Sequence, residues 1–374
     1  MNFSSEVLRS DERAIYALRE LYSKFGYSRY KVGRFEEYDL YARNKSFLVS
    51  ENILTFTDTN GKLMALKPDV TLSIIKNISD GKNETHKLYY NENVYRTSAE
   101  SHGFKEIMQT GLECVGNIDT YAQSEVVMLA LKSLESISNE YILDISHMGL
   151  VEGLIDAAGL EDGARDEAMD YIKSKNVGAL KNLYASTSVS EDVCAVTCRL
   201  TEMYSTLDEA LEVIRINLKN DKMTHAYTEL VSINEAMKAY GVSEKLYFDF
   251  SVVNDRNYYD GVIFKGFING IPTGVLSGGR YDKLLSRMGK QCGAIGFAVY
   301  LDTLERFGNE DNGYDTDILL VYENVSTNKI IATVKELVDS GKTVKVASAP
   351  DASARCRQLL KISERGVESL ETND

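Results

Sequence analysis

A long helical stretch separates two strand-rich parts of this chain, and this arrangement limits the folds that the chain can adopt. From about residue 150 to 240 the sequence has no proline and little strand pattern. An apolar stripe at helical spacing runs through it, formed by Leu207, Ala210, Leu211, Ile214 and Leu218. We therefore expect residues 151–240 to be a helical insertion in a core that residues 1–150 and 241–310 build together.

The strand-rich parts predict an antiparallel sheet. Asn60-Gly61 lies between two apolar runs, which is typical of a hairpin with a type I′ turn because both turn positions favour positive φ. Pro68 ends the second run, and Asp69 is placed to cap a helix that begins near Thr71. Further strand-like segments are HKLYYNENVYR, KEIMQTGLECVG and KLYFDFSVV. One face of such a sheet can direct polar side chains into a pocket while the other packs on helices.

Residues 311–374 have a different pattern, which predicts a short C-terminal α/β unit. DILLVY predicts a strand, residues 328–340 a helix, TVKVASA a second strand, and the last residues a second helix. The whole sequence therefore predicts an α+β protein with an antiparallel sheet flanked by helices, a helical insertion and this terminal unit.

The charge of the chain argues against nucleic acid as a ligand. It carries 42 Lys and Arg against 56 Asp and Glu, a net charge of −14, whereas affinity for phosphate backbones comes largely from cationic side chains. No apolar run approaches the roughly 20 residues of a membrane-spanning helix, and the first residues lack the apolar core of a signal peptide. We therefore expect a cytoplasmic protein that does not bind a membrane.

Cysteine and histidine are too dispersed to predict a metal site or a cofactor. The five Cys are scattered, and Cys194 and Cys198, four residues apart in a helical stretch, have no His nearby. The four His, at positions 86, 102, 147 and 225, have no ligand-like spacing to Cys or carboxylates. The chain also has no GxxxxGK[ST] or GxGxxG loop for a phosphate. We expect neither a metal nor a cofactor.

The segment KEIMQTGLECVG carries the first group of candidate binding residues. Gln109, Gly111 and Glu113 share one face of the predicted strand because side chains alternate between faces. The glycine leaves room for a ligand to approach the backbone, and Glu113 is costly to bury unless it meets a cation or a donor. A solvated strand face with an incidental glycine is the alternative interpretation.

Aromatic residues follow in NDRNYYDGVIFKGF. Tyr258 and Tyr259 are adjacent in a predicted strand and therefore point to opposite faces, so that one can line a pocket while the other packs. Tyrosine in a strand is also common in protein cores, which is the alternative. Two glycines precede Arg280 in SGGRYDKLL, as a tight turn or a close backbone approach requires.

These segments, taken in order, resemble the catalytic core of the histidyl-tRNA synthetase family, which has a class II aminoacyl-tRNA synthetase fold. The matching pieces, spread over about residues 11–305, are LKPDVT, VYR, EIMQTGLECVG, NYYDGVIF, SGGRYDKLL and AIGFAVYLDTL. Each piece is weak alone, and their order and spacing make the combination specific. The resemblance implies a class II-like sheet with the helical insertion of that family. Residues 311–374 would then be a truncated remnant of the anticodon-binding domain.

The same resemblance implies that a histidine pocket is retained. Asp69 and Thr71 match positions that hold the α-amino group of the substrate, and Gln109 and Glu113 match positions that contact bound histidine. Carboxylates suit an ammonium group and an imidazole N–H, and a tyrosine hydroxyl can orient the ring. The complete set of implied histidine-binding residues is Asp69, Thr71, Arg96, Gln109, Glu113, Tyr258, Tyr259 and Tyr281.

The residues for amino-acid activation are depleted by comparison with that family. Arg96 keeps one phosphate-binding arginine, whereas Asn254 and Thr303 stand where the family has others, and Arg256 offers partial compensation. Tyr300 replaces a glycine and would intrude into an adenine-sized space. Because such arginines stabilise the charge that develops on the phosphates, the pattern favours binding without adenylation.

A histidyl-tRNA synthetase-like chain with these losses resembles the regulatory-subunit family of ATP phosphoribosyltransferase. That resemblance implies a non-catalytic protein of histidine biosynthesis that assembles with a short-form catalytic subunit and senses histidine for feedback. It also implies self-association as a class II-like dimer, no binding of tRNA, and catalytic residues on the partner chain. Two alternatives stay open, a divergent histidyl-tRNA synthetase and a class II-like dimerising scaffold with a repurposed pocket.

Overall fold

A nine-stranded sheet forms the centre of the larger of two compact units, residues 1–308 and 309–374, in this computed structural model. The structure describes residues 8–48, 52–78, 84–97, 103–253, 258–305, 314–351 and 353–372. In spatial order the strands are β1 (Ser28–Arg29), β5 (His86–Thr97), β6 (Phe104–Gly116), β12 (Gly293–Tyr300), β11 (Leu276–Arg280), β10 (Val262–Ile268), β7 (Tyr141–His147), β9 (Leu246–Asp249) and β8 (Tyr204–Thr206). Neighbours pair antiparallel except β1 with β5 and β7 with β9, so the predicted sheet is confirmed.

Helices pack on this sheet and form the insertion. The helix α4 (Thr120–Glu135) is buried along nearly its whole length because it contacts α1 (Ser10–Lys24), the sheet and the last helix of the insertion. The insertion helices are α5 (Met148–Ala158), α6 (Asp162–Lys173), α7 (Val177–Ser186), α8 (Glu191–Glu202), α9 (Leu207–Arg215) and α10 (Asp221–Tyr240). Within residues 148–240, all of which the structure describes, only β8 interrupts them, and it extends the edge of the main sheet.

A small three-stranded sheet precedes the first long hairpin. It contains β2 (Phe35–Glu37), β3 (Thr55–Thr57) and β4 (Leu63–Leu66), and the short helices nearby in sequence are α2 (Tyr38–Arg43) and α3 (Thr71–Asn77). The predicted β3–β4 hairpin is confirmed, but its type I′ turn is wrong, since Gly61 has φ +80° and Asn60 does not have positive φ. Asp58 Oδ1 accepts hydrogen bonds from the backbone N–H groups of Asn60 and Lys62 and thereby stabilises a five-residue loop.

The described residues of the smaller unit form a four-stranded sheet and one helix. Its elements are β13 (Thr316–Tyr322), α13 (Thr327–Asp339), β14 (Val344–Ala347), β15 (Cys356–Ser363) and β16 (Gly366–Thr372), with the strands in the order β14-β13-β15-β16. The α/β unit is confirmed, but the predicted terminal helix is wrong because β15 and β16 occupy those residues. β15 pairs in parallel with β13, and Gly366, with φ +128°, makes the turn into β16.

Candidate functional site

A cavity of about 670 Å³ lies against one face of the main sheet. Small residues form part of its floor, namely Ser277 on β11 and both Gly296 and Ala298 on β12. The strand register sets polar residues beside this floor, since Gly296 pairs with Glu113 of β6. Strands from before and after the insertion thus bring their side chains to one surface.

All eight residues that the sequence resemblance implied for histidine binding line this one cavity. They come from the start of α3, from β5 and β6, and from the segments before β10 and before the helix α11 (Asp282–Arg287): Asp69, Thr71, Arg96, Gln109, Glu113, Tyr258, Tyr259 and Tyr281. Two residues of the activation argument, Asn254 and Arg256, lie outside the described residues, as does His102.

Glu113 is the centre of the hydrogen bonds in this cavity. Its side chain is buried, Thr71 Oγ1 donates a hydrogen bond to Oε1 at 2.6 Å, and the Tyr281 hydroxyl donates one to Oε2. Burial raises the pKa of Glu113 to about 8, although the hydrogen bonds from Thr71 and Tyr281 act in the opposite direction, and the charge of Asp69 adds to the rise. A carboxyl group in this position can accept a hydrogen bond from a cationic or N–H-bearing ligand.

Asp69, Arg96 and Gln109 add further polar groups. Asp69 Oδ1 accepts a hydrogen bond from the Leu72 N–H at 2.8 Å, which confirms its predicted role at the start of α3. Burial raises the pKa of Asp69, against the opposing effects of this N–H and of the Arg96 charge. Arg96 Nε donates to the Pro68 carbonyl at 2.9 Å. Gln109 is 2% exposed and its Nε2 has no hydrogen-bond partner among the described residues, which leaves a buried donor available to a ligand.

Three tyrosines form an aromatic wall. The ring centroids of Tyr258 and Tyr259 are 4.6 Å apart, and those of Tyr258 and Tyr281 are 5.9 Å apart. Both Tyr258 and Tyr259 line the cavity, so the prediction that they point to opposite faces is wrong. They precede β10 and lie outside a regular strand, where side chains need not alternate. Gly279 leaves space for Tyr259, because a β-carbon at Gly279 would lie 2.7 Å from Tyr259 Cδ1.

The expected role of Gly111 is wrong in one respect, since a protein side chain takes the space that we expected for a ligand. A β-carbon at Gly111 would lie 2.5 Å from the Tyr90 hydroxyl oxygen and 2.5 Å from the Phe297 carbonyl oxygen. Tyr90 is the partner of Gly111 in the β5–β6 register and also lines the cavity. An aromatic residue opposite a strand glycine is a known pairing, but it can be found only once the register is known.

The cavity contains further polar groups, and two of them, Asp144 and Asp249, were not indicated by the motifs. The Tyr300 hydroxyl oxygen is 2.8 Å from Ser277 Oγ, and both residues line the cavity. Asp144 and Asp249 lie on the adjacent strands β7 and β9. Burial, and then the charge of Asp249, raise the pKa of Asp144 to about 6. These carboxylates were missed because neither strand carries a recognised motif.

Arg280 joins the insertion to the core. Its guanidinium contacts Asp282 Oδ2 at 2.9 Å and Glu229 Oε1 at 3.6 Å. Glu229 Oε2 is 2.7 Å from His147 Nε2, and His147 Nδ1 accepts a hydrogen bond from the Gly149 N–H, so Nε2 is the nitrogen that donates to Glu229. The histidine and its carboxylate are 82 residues apart, so sequence spacing could not reveal this pair.

The fold and this cavity define a protein of the class II aminoacyl-tRNA synthetase type. The family model described as Histidyl-tRNA synthetase matches residues 4–304, and the chain belongs to this family. A curated relative from Bacillus cereus (strain ATCC 10987 / NRS 248), named ATP phosphoribosyltransferase regulatory subunit, is 28% identical over 94% of this chain and 87% of its own length. The predicted resemblance to such regulatory subunits is therefore confirmed.

Solved structures share the fold. The crystal structure of an ATP phosphoribosyltransferase regulatory subunit/histidyl-tRNA synthetase from Bacillus halodurans C has a TM-score of 0.75 at 23% identity and covers 96% of each chain. A chain of the ATP phosphoribosyl transferase complex from Thermotoga maritima has a TM-score of 0.62 at 18% identity, covering 78% of this chain and 97% of that one. At such identities the likeness concerns the fold, and it confirms the predicted class II architecture.

Among the described residues, no helix combines the length and the apolar character needed to cross a lipid bilayer.

Proposed function

We propose that this chain is the regulatory subunit of ATP phosphoribosyltransferase, a cytoplasmic protein that binds histidine and assembles with a short-form catalytic subunit. The name carried by its relatives supports the assignment, and the solved complex from Thermotoga maritima supports the assembly. Phosphoribosyl transfer then takes place on the partner chain, and this chain controls it.

The polar groups of the cavity match the chemistry of free histidine. Gln109 Nε2 and the Arg96 guanidinium are donors and suit an α-carboxylate, whereas Asp69 and Glu113 are acceptors and suit an α-ammonium group and an imidazole N–H. The tyrosine wall offers flat faces to an aromatic ring. The observation that carries the proposal is the buried Gln109 Nε2, which has no hydrogen-bond partner among the described residues, in the same cavity as the Glu113 carboxyl group.

Feedback requires that histidine bind two states of the assembly with different affinity, because a ligand that binds both equally shifts nothing. Thr71 is the first residue of α3, and Tyr281 immediately precedes α11 (Asp282–Arg287). A ligand at Glu113 would therefore act on residues at the starts of two helices. We propose that these helices transmit the signal, with a coupling of about 1–3 kcal/mol, as is typical of allosteric proteins.

A dimer of this chain is the second part of the proposal. Phe35 and Leu63 on the small sheet are 53% and 49% exposed, and the rings of Phe35 and Phe56 have centroids 5.1 Å apart. Phe104, at the start of β6, is 49% exposed and lines the same shallow groove as Leu63. Exposed apolar patches of this kind are typical of protein interfaces, and the class II resemblance favours a second copy as the occupant.

Analytical ultracentrifugation tests this dimer. The unmodified chain should sediment as a dimer, and Phe35→Ser should sediment as a monomer.

Co-expression with a short-form catalytic subunit tests the assignment. We expect the chains to co-purify, the catalytic subunit to need this chain for activity, and histidine to inhibit the complex. Glu113→Gln should remove this inhibition, whereas Glu106→Gln, an exposed position on the same strand, should preserve it. Separate elution of the two chains, or activity that is independent of this chain, would overturn the proposal.

A divergent histidyl-tRNA synthetase is the second candidate, because Arg96 and the cavity that we propose for histidine are retained. Tyr300 and Thr303 oppose it, since they stand where that family uses a glycine and an ATP-binding arginine. Histidine-dependent exchange of pyrophosphate into ATP by the purified chain would favour the synthetase. Binding of histidine without exchange favours the regulator, and a chain that binds no histidine would be a scaffold.

A further inference from the structure

Tyr300 stands next to the donors that the proposed function assigns to the α-carboxylate. It is the register partner of Gln109 across β6 and β12, and side chains of directly opposed residues lie on the same sheet face with β-carbons about 4.5–5.5 Å apart. Arg96 lines the same cavity. The side chain of Tyr300 is therefore the nearest large group on β12 to a carboxylate held by Gln109.

Two contacts hold Tyr300 in this position. Its hydroxyl oxygen is 2.8 Å from Ser277 Oγ on β11, so the side chain leans from β12 toward β11, away from β6, and crosses the floor of the cavity. Ala298, two residues earlier on the same face, is the register partner of Ser277 and is too small to push the ring away. Thr303 Oγ1 donates to the Tyr300 carbonyl at 2.6 Å and fixes the start of α12 (Leu301–Glu305).

We infer that Tyr300, anchored by Ser277, is a specificity-determining residue that admits amino acids with a free α-carboxylate and excludes those with a large carboxyl substituent. The inference rests on the proposed function, because it takes the ligand to be histidine held with its carboxylate at Gln109 and Arg96. A group attached to that carboxyl and directed over Ser277 and Ala298 would extend into the space of the Tyr300 ring. The excluded class comprises bulky amides and esters of histidine.

Calorimetric titration of the full chain, alone and with its catalytic subunit, tests this inference with four ligands. L-Histidine tests the pocket itself, L-histidinamide removes the carboxylate charge with little added size, and L-histidine β-naphthylamide adds a large carboxyl substituent. Nα-Acetyl-L-histidine adds bulk at the other end and is the matched control. Because both amides lack the charge, the ratio of their affinities isolates the effect of size.

The unmodified chain should bind the naphthylamide at least tenfold more weakly than histidinamide. Tyr300→Ala should reduce this difference to less than threefold without improving the binding of the acetylated ligand. Tyr300→Phe and Ser277→Ala keep the ring but remove its anchor, and each should strengthen naphthylamide binding severalfold. If Tyr300→Ala does not fold, Tyr300→Phe and Ser277→Ala still test the role of Tyr300.

Equal binding of the two amides by the unmodified chain, or an unchanged ratio in all three variants, would overturn the role of Tyr300 and leave histidine binding intact. A structural role alone would change the thermal midpoint of the variants and not the ratio. If the unmodified chain binds no histidine either alone or in the complex, the proposed function fails and this inference fails with it.

Discussion

The Glu113 carboxyl group occupies the space that a β-carbon at Gly296 would fill. An ideal β-carbon at Gly296 would lie 1.8 Å from Glu113 Oε2 and 2.5 Å from the Leu112 carbonyl oxygen. The buried carboxyl group and the absent side chain therefore depend on each other, and the polar centre of the cavity exists because β12 carries a glycine opposite β6.

Gly296→Ala should displace Glu113 from its hydrogen bonds to Thr71 and Tyr281. Overpacking of this kind typically costs about 1–3 kcal/mol, and we expect a similar loss in the free energy of unfolding together with loss of histidine binding. Urea denaturation and calorimetry measure the two effects. Gly163→Ala, in α6, is the matched control, because a β-carbon there meets nothing within 4 Å, and it should preserve histidine binding without lowering the free energy of unfolding. Normal histidine binding by Gly296→Ala would contradict this prediction.

Glu113 should make stability fall as pH rises. Its pKa is raised from 4.5 to about 8, mainly by burial, so between these values the unfolded chain has lost the proton that the folded chain keeps. Folding takes up a proton in this range, and the free energy of unfolding should fall by up to about 1.4 kcal/mol per pH unit. The free energy of unfolding, measured by urea denaturation at pH values from 5 to 8, should therefore fall less steeply with pH for Glu113→Gln than for the unmodified chain. If the free energy of unfolding changes with pH equally in the two proteins, the raised pKa does not belong to Glu113.

Tyr281→Phe and Thr71→Val each remove one hydroxyl donor from the Glu113 carboxyl group. A buried acceptor left without a partner costs about 1–3 kcal/mol, so each change should lower the free energy of unfolding by that order. The two effects should not add, because both donors serve one carboxyl group. A double-mutant cycle in urea measures this coupling, and Tyr322→Phe, at an exposed tyrosine, is the control. Strictly additive effects would mean that the two donors act independently.

Glu229→Gln should loosen the attachment of the insertion to the core. Burial opposes ionisation of Glu229, but the hydrogen bond from His147 and the charge of Arg280 lower its pKa overall. The ionised Glu229 therefore stabilises the folded chain above pH 4.5, and this stabilisation is lost as pH falls through the lowered pKa. We expect a loss of about 1–3 kcal/mol at pH 7 in urea denaturation. Glu235→Gln, an exposed carboxylate on the same helix, should have no effect, and equal losses for both would argue against the link.

Regular strands explain why part of the site could be predicted from the sequence. β6 is an uninterrupted strand, so alternation alone put Gln109 and Glu113 on one face. Asp69 was predictable for a similar reason, since the capping of a helix start is a local interaction. Where the backbone is regular or the contact is short-range, sequence spacing carries enough information.

Other features depend on contacts between distant residues. Tyr258 and Tyr259 lie in an irregular segment, where the direction of a side chain is set by packing against Tyr281 and not by alternation. Tyr90 covers Gly111 because of the β5–β6 register. The last residues of the chain form strands because β13 offers an edge with which β15 can pair, and local propensity does not reveal that edge.

Glycines that line the cavity, or that pack against its side chains, also restrict how this protein can change during evolution. At Gly111, Gly279 and Gly296, a β-carbon would come closer than 3 Å to a neighbouring atom. Any substitution of these glycines adds atoms. One mutation can therefore fill the site, whereas no substitution at these positions can widen it. A wider ligand range must therefore come from trimming large side chains elsewhere in the cavity, and selection for new ligands would act mainly on its tyrosines.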